Sequence, residues 1–159
     1  MTEALDIHES DMRLMKIAIH EAQKSLSEGG VPVGAALARG DKLLASGHNE
    51  RVQRGDPIAH GEIACLRNAG RQESYGDTTL YTTLSPCEMC SGAILLFKIP
   101  RVVVGQATTF RGNLDRLRRH GVKVILLDDD NCVQLMRSFQ QQYPRIWLED
   151  IGEASPGPC

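Results

Sequence analysis

The chain lacks any apolar run long enough to cross a bilayer. Its longest uninterrupted stretches, such as residues 93–97, fall far short of the ~20 residues a spanning helix needs. It also lacks an excess of one charge. Eighteen Lys and Arg face twenty Asp and Glu, a formal net charge of −2, so no global basic field points to a polyanionic partner. The first six residues are acidic and are not followed by the basic-then-apolar pattern of a secretory leader, so none is expected. A disulfide framework is missing as well. The five cysteines are odd in number, two of them in a C-x-x-C and three scattered, which fits a reducing compartment. The cytoplasm is the default location, and a nuclear protein would read the same. No internal repeat or second compositional regime is visible. Residues 1–153 are expected to form one domain, and the Pro- and Gly-rich residues 154–159 a disordered tail.

What is present is an ordinary globular composition, 42% hydrophobic and 24% charged, with clear periodicity. Met12, Met15, Ile19, Ala22 and Leu26 recur at three- and four-residue steps, which predicts a helix over 10–28, capped by Ser10 and stopped by Gly29-Gly30. Strands are expected at 33–38 and 43–47 around a Gly40-Asp41 turn, followed by a loop over 49–57 punctuated by Gly55, Asp56 and Pro57. Beyond it, helices at 59–69, 86–97, 114–120, 131–142 and 144–150 alternate with strands at 78–83, 102–104 and 122–127. The first two strands make an antiparallel hairpin, and the later ones, separated by helices, run parallel. The expected fold is α/β: a three-layer α/β/α sandwich with a mixed five-stranded sheet.

The most specific chemistry lies between residues 60 and 90. His60-Gly61-Glu62, joined to Pro86-Cys87-Glu88-Met89-Cys90, supplies three zinc-type ligands and one carboxylate not needed as a ligand. A structural zinc site wants four protein ligands; a catalytic one leaves a position for water. Cys87 and Cys90, at i and i+3, share a helical face, and a helix N-terminus favours thiolate over thiol. Two thiolates and a neutral imidazole cancel the charge of Zn²⁺, so bound water is acidified less than at an all-imidazole site and needs a nearby base. Glu62 is placed to take the water proton, pass it to a ring nitrogen and later protonate a departing amine. The pattern H-x-E…P-C-x-x-C is the signature of zinc nucleobase deaminases. His8, His20, His48 and His120 have no such partners and read as surface or packing residues. Cys65 reads as core, while Cys132 and Cys159 have no ligand partner.

The chain also resembles the yeast-type cytosine deaminases within the cytidine deaminase superfamily. The resemblance rests on Glu28-Gly29-Gly30-Val31-Pro32, Gly47-His48-Asn49, His60-Gly61-Glu62-Ile63, residues 77–87, Ile99-Pro100-Arg101, Val103-Val104-Gly105 and Trp147-Leu148-Glu149-Asp150-Ile151-Gly152-Glu153. It spans nearly the whole chain; the region 105–115 diverges most. It implies a cytidine deaminase-like fold, Zn²⁺ on His60, Cys87 and Cys90, Glu62 as proton shuttle, and hydrolysis of free cytosine to uracil and ammonia. It further implies that Asn49 bonds the pyrimidine ring and Asp150 accepts from its amine. Phe110 and Trp147 would wall the pocket, and the backbone of Gly61, Cys87 and Leu84 or Ser85 would complete it. A homodimer and a C-terminal cover over the site belong to the same expectation.

Three other readings compete. A tRNA adenosine deaminase shares the metal motif but needs a basic surface; Arg111, Arg116, Arg118, Arg119 and Lys123 cluster, though as the solvated face of a short helix. Another small base, such as guanine, would use the same chemistry. A non-catalytic zinc module for protein interaction would need neither Glu62 nor Asp150.

Overall fold

A computed structural model describes residues 6–156. The expectations for the first five residues, for the tail beyond 156 and for Cys159 lie outside them. Helix α1 (Glu9–Ser27) leads into a hairpin of β1 (Gly34–Arg39) and β2 (Lys42–His48). The short α2 (Arg51–Arg54) and α3 (Gly61–Ala69) precede β3 (Thr78–Thr82). Then follow α4 (Glu88–Leu96), β4 (Arg101–Val104), α5 (Leu114–Arg119), β5 (Lys123–Leu126), α6 (Asp130–Gln142) and α7 (Pro144–Asp150). The sheet order is β2-β1-β3-β4-β5. β1 pairs antiparallel with both β2 and β3, whereas β3, β4 and β5 run parallel through helical crossovers.

Strand alternation sorts the side chains into two cores. Ala35, Leu37, Leu80, Val102, Val104 and Val124 face one side, against Cys65 and Leu66 of α3, Ile94 of α4 and Leu117 of α5. Ala36, Ala38, Tyr81, Val103 and Ile125 face the other, against Leu14, Met15 and Ala18 of α1 and Cys132 of α6. The period of two in the strands thus produces the three-layer α/β/α sandwich and a mixed five-stranded sheet. Close approach has a sequence cause: a Cβ on Gly47 would stand 2.6 Å from the backbone nitrogen of Cys65, so glycine lets α3 settle on β2.

One buried polar group ties the helical layer to the sheet. Asp11 of α1 accepts from both terminal nitrogens of Arg101 (2.7 and 2.8 Å), from the Tyr81 hydroxyl (2.7 Å) and from the His8 backbone N–H (2.7 Å). Burial alone would raise its pKa, but the Arg101, His8 and Tyr81 hydrogen bonds win and hold it at about 2.

Local structure departs from expectation at four points. In the stripe expected on α1, Met12 and Leu26 are exposed, because the helix turns Leu14, Met15, Ala18 and Ala22 to the interior instead. His8, not Ser10, stands at the N-terminal boundary of α1, because Asp11 reaches back to its N–H. Residues 51–54 form a single helical turn where only a loop was expected; Asn49 Oδ1 accepts from the Arg51 N–H and starts it. Pro86 stands before α4 and does not open it, since Cys87 takes the N-cap and its sulfur accepts from the Cys90 N–H.

Candidate active site and metal centre

Two helix N-termini meet near the carboxyl ends of the sheet strands, where α/β folds gather ligands. His60 is the N-cap of α3 and Cys87 the N-cap of α4. His60 Nδ1 lies 3.4 Å from Cys87 Sγ and 3.8 Å from Cys90 Sγ, and the three donor atoms lie within 4.8 Å of one another. One imidazole and two thiols at this spacing suit a soft tetrahedral cation, with a fourth position for water. The electrostatics agree. The hydrogen bond to Cys90 and the contact with His60 overcome burial and hold the Cys87 thiol down at about 4. Burial opposes charge on His60, but Cys87, Asp150 and Glu62 around it outweigh that and raise it to about 9. The chain alone favours a thiolate at Cys87 beside a protonated His60, and a divalent cation held by His60, Cys87 and Cys90 would take the place of that proton.

Glu62, in the first turn of α3, is 3% exposed, and its Oε1 has no hydrogen-bond partner. Burial, reinforced by the Cys87 charge, pushes its carboxyl up to about 7. A buried carboxyl with one oxygen unpaired is costly for a fold and useful for moving protons near neutrality.

The remaining wall comes from Val33 just before β1, the 49–51 corner, the 84–87 and 110–113 loops, and α7. Asn49 is buried at the end of β2, and its Nδ2 donates to Asp150 Oδ1 at 2.9 Å across a hundred residues of chain. Asp150 is buried too, and burial raises its pKa despite His60 and Asn49. The Asp150 carbonyl accepts from His60 Nε2 at 3.1 Å, so the same residue orients the far side of the imidazole. Phe110 and Trp147 pack edge-to-face with centroids 5.4 Å apart. Trp147 also joins Val31, Val33, Leu84, Met136 and Phe139 in a third apolar cluster beneath α7.

These residues enclose an inner cavity of ≈ 20 Å³, touched by Asn49, His60, Glu62, Leu84, Ser85, Cys87, Phe110, Trp147 and Asp150. It opens on an outer groove of ≈ 660 Å³ rimmed by Arg51, Glu88, Arg111, Asn113, Glu149 and Glu153. Val33 and Ile151 also line the inner cavity, and sequence reasoning gave neither a pocket role. Ile151 directly follows Asp150 in the same C-terminal stretch, which is the signal that was available. Gly61 does not line the cavity; a Cβ there would stand 2.8 Å from the Val33 carbonyl, so its place is a tight contact behind the wall. The Ser85 hydroxyl is spent on the Arg111 carbonyl, which fixes the loop after Phe110. The buried Gln106, which no motif flagged, braces that loop from inside by accepting from the N–H groups of Thr108 and Thr109. A larger groove of ≈ 730 Å³ lies elsewhere, between α3 and the end of α4, and contains none of the metal-type donors.

Residues 8–106 match the cytidine and deoxycytidylate deaminase zinc-binding region. The chain is 47% identical over 146 residues to a cytosine deaminase of Candida albicans, covering 90% of this chain and 97% of that one. It is 34% identical over 147 residues to a tRNA-specific adenosine deaminase of Streptococcus pyogenes, covering 84% and 85%. A solved structure from work on A-to-I editing by tRNA:A34 deaminases superimposes with a TM-score of 0.70 at 27% identity, covering 78% of this chain and 99% of that chain. This chain belongs to the zinc-dependent cytidine and deoxycytidylate deaminase family.

Proposed function

We propose that this chain hydrolyses free cytosine to uracil with release of ammonia. The observation that carries this reading is the buried Asn49–Asp150 pair, closed over the same small cavity as His60 and Glu62. Cytosine offers an amine donor, a ring acceptor, a carbonyl and a ring N–H. Ionised Asp150 can only accept, which suits the amine. Asn49 gives one amide hydrogen to Asp150 and one lone pair to the Arg51 N–H, which leaves a donor and an acceptor for the ring. A base with the wrong pattern leaves these buried groups unpaired and is rejected. Phe110 and Trp147 wall the pocket with aromatic surface without reading the ring's edge. The cytosine deaminase relative supports the same substrate.

His60, Cys87 and Cys90 hold the zinc. When bound, the ion supplies Lewis acidity that makes a water nucleophilic near neutral pH. Glu62 would take one proton from the attacking water and deliver it to the ring nitrogen beside the amino-bearing carbon as the C–O bond forms, then take the remaining hydroxyl proton and give it to the amine as the C–N bond breaks, leaving the carbonyl of uracil and ammonia. Asp150 steers the amine and holds His60 through its carbonyl. Residues 1–153 act as one domain. Residues 147–150 cover the site, with Trp147 and Asp150 lining the inner cavity, and product leaves when that segment opens. A truncation before Pro144 that kept full activity would refute the cover.

Two chains associate as a homodimer, and the face carrying Leu96 (72% exposed) and Phe97 (41%) is suited to the contact. Among the described residues no helix is long and apolar enough to cross a membrane, and Cys65, Cys87, Cys90 and Cys132 are free thiols. A cytoplasmic location fits both. In the basic cluster, Arg116 pairs with Glu88, Arg118 with Asp115 and Lys123 with Asp6, which leaves a weak platform for RNA. One panel tests the reading: cytosine, cytidine, adenine, guanine and a tRNA anticodon stem, each scored for ammonia. Turnover of cytosine alone supports it; turnover of the stem or of a purine with none of cytosine overturns it.

A further inference from the structure

His48 closes β2 and is 6% exposed, yet the chemistry above does not use it. Both of its ring nitrogens are held: Nδ1 lies 2.6 Å from Glu21 Oε2, and Nε2 lies 2.7 Å from Glu28 Oε1. The two carboxylates are seven residues apart and reach the ring from α1 and from the residue that ends it, so one imidazole bridges two turns of helix to the end of a strand. The next residue is Asn49. Its carbonyl accepts from Ser25 Oγ of the same helix at 2.7 Å and from Gln53 Nε2 at 2.9 Å, and its N–H donates to the Val33 carbonyl at 2.9 Å. Gln53 donates in turn to Glu28 at 3.4 Å. The backbone of Asn49 is thus fixed by the same stretch of α1 that grips His48, while its side chain reaches Asp150.

We propose that His48, gripped by Glu21 and Glu28, is a positioning residue that sets the corner carrying Asn49 and so tunes the affinity of the pocket for its base. The proposal rests on the reading of Asn49 as a base-binding residue. α1 does not need this clamp to stay on the sheet, because Leu14, Met15, Ala18 and the Asp11–Arg101 pair already hold it. Loss of the clamp loosens one strand end. The hydrogen bonds of Asn49 go to Asp150, Arg51, Ser25, Gln53 and Val33 and to neither the metal donors nor Glu62, so its displacement weakens binding of ground state and transition state alike. That raises KM and leaves kcat nearly unchanged, whereas general loss of folded enzyme lowers apparent kcat with KM unchanged.

The test measures kcat, KM, zinc content and melting temperature on cytosine for His48→Ala, Asn49→Ala and the double variant. His48→Ala is expected to raise KM about tenfold, the size of one lost charge-assisted hydrogen bond, with kcat within about twofold and zinc retained. In the Asn49→Ala background the same change should add less than about twofold, because its route of action is gone. His48→Gln, which keeps one donor, falls between. Glu28→Ala opens the clamp from its more exposed side and serves if His48→Ala fails to fold. If Asn49→Ala raises KM but His48→Ala and Glu28→Ala do not, or if the effects multiply in the double variant, the positioning role is overturned and the reading of Asn49 stands. If Asn49→Ala leaves KM unchanged, the base-binding reading falls and this proposal with it.

Discussion

Replacing Glu62 by Gln separates what the carboxyl does for chemistry from what it does for the fold. A single positioned proton carrier contributes about 10²- to 10⁴-fold to a rate. In the proposed mechanism Glu62 serves two transfers in one turnover, so the loss belongs at the upper end, about 10⁴-fold in kcat or roughly 5 kcal/mol on the barrier. The structure predicts the opposite sign for stability. Glu62 is 3% exposed, its Oε1 is unpartnered, and burial presses against its charge. An unsatisfied buried polar group costs about 1–3 kcal/mol. Removing the charge at nearly constant volume should recover about 1 kcal/mol, which for a chain this size raises the melting temperature by about 2–4 °C. Zinc content should not change, because His60, Cys87 and Cys90 form the ligand set without it. The assay is ammonia release from cytosine beside metal analysis and a thermal melt on the same preparations. Turnover within about tenfold of the parent would refute the proton role. Zinc lost together with activity would place Glu62 among the ligands instead.

Other perturbations have equally definite signs. Arg101→Met strands Asp11 in the interior and should cost about 3–5 kcal/mol, seen as a fall in melting temperature on the order of 10 °C, with KM for cytosine unchanged. Asp11 is depressed from 3.8 to about 2, so its contribution is complete above about pH 4 and drains away as pH falls towards 2; Asp11→Asn should flatten that part of the stability profile, and an unchanged profile would contradict the assignment. Chelation should abolish turnover and lower the melting temperature, by the equivalent of about 3–4 kcal/mol where metal had stood at 100 to 1,000 times its dissociation constant. Zn²⁺ should restore both and Mg²⁺ neither, given two sulfur donors. Asp150→Ala removes the partner of Asn49 and the proposed acceptor for the amine, and should lower kcat/KM by at least about 10²-fold with zinc retained.

Most of the architecture was legible because local and global signals agree. The two-residue alternation of 101–104 puts Val102 and Val104 on one core and Val103 on the other, whereas the stripe read for α1 is only partly its packed face: Met15 and Ala22 are buried, Met12 and Leu26 are exposed, and Leu14 and Ala18 take their place. The metal donors were legible because their spacing belongs to two helix N-termini. What escaped depends on tertiary placement. The turn of α2 is set by the Asn49 side chain, and the Gly55-Asp56-Pro57 cluster hides it. His48 looked inert because its two partners lie twenty or more residues earlier, and nothing in Gly47-His48-Asn49 reveals that Glu21 and Glu28 face the strand end. Val33 joins the cavity only because the third apolar cluster folds under α7.

The central claim is that a closed pocket reads a free base, and the ratio of kcat/KM for cytosine to that for cytidine tests it most directly. Asn49 and Asp150 meet at the small inner cavity, and a glycosidic bond removes the ring N–H from which Asn49 would accept. The account predicts clear release of ammonia from cytosine and a kcat/KM about 10⁴-fold lower for cytidine. Comparable values for the two would contradict it.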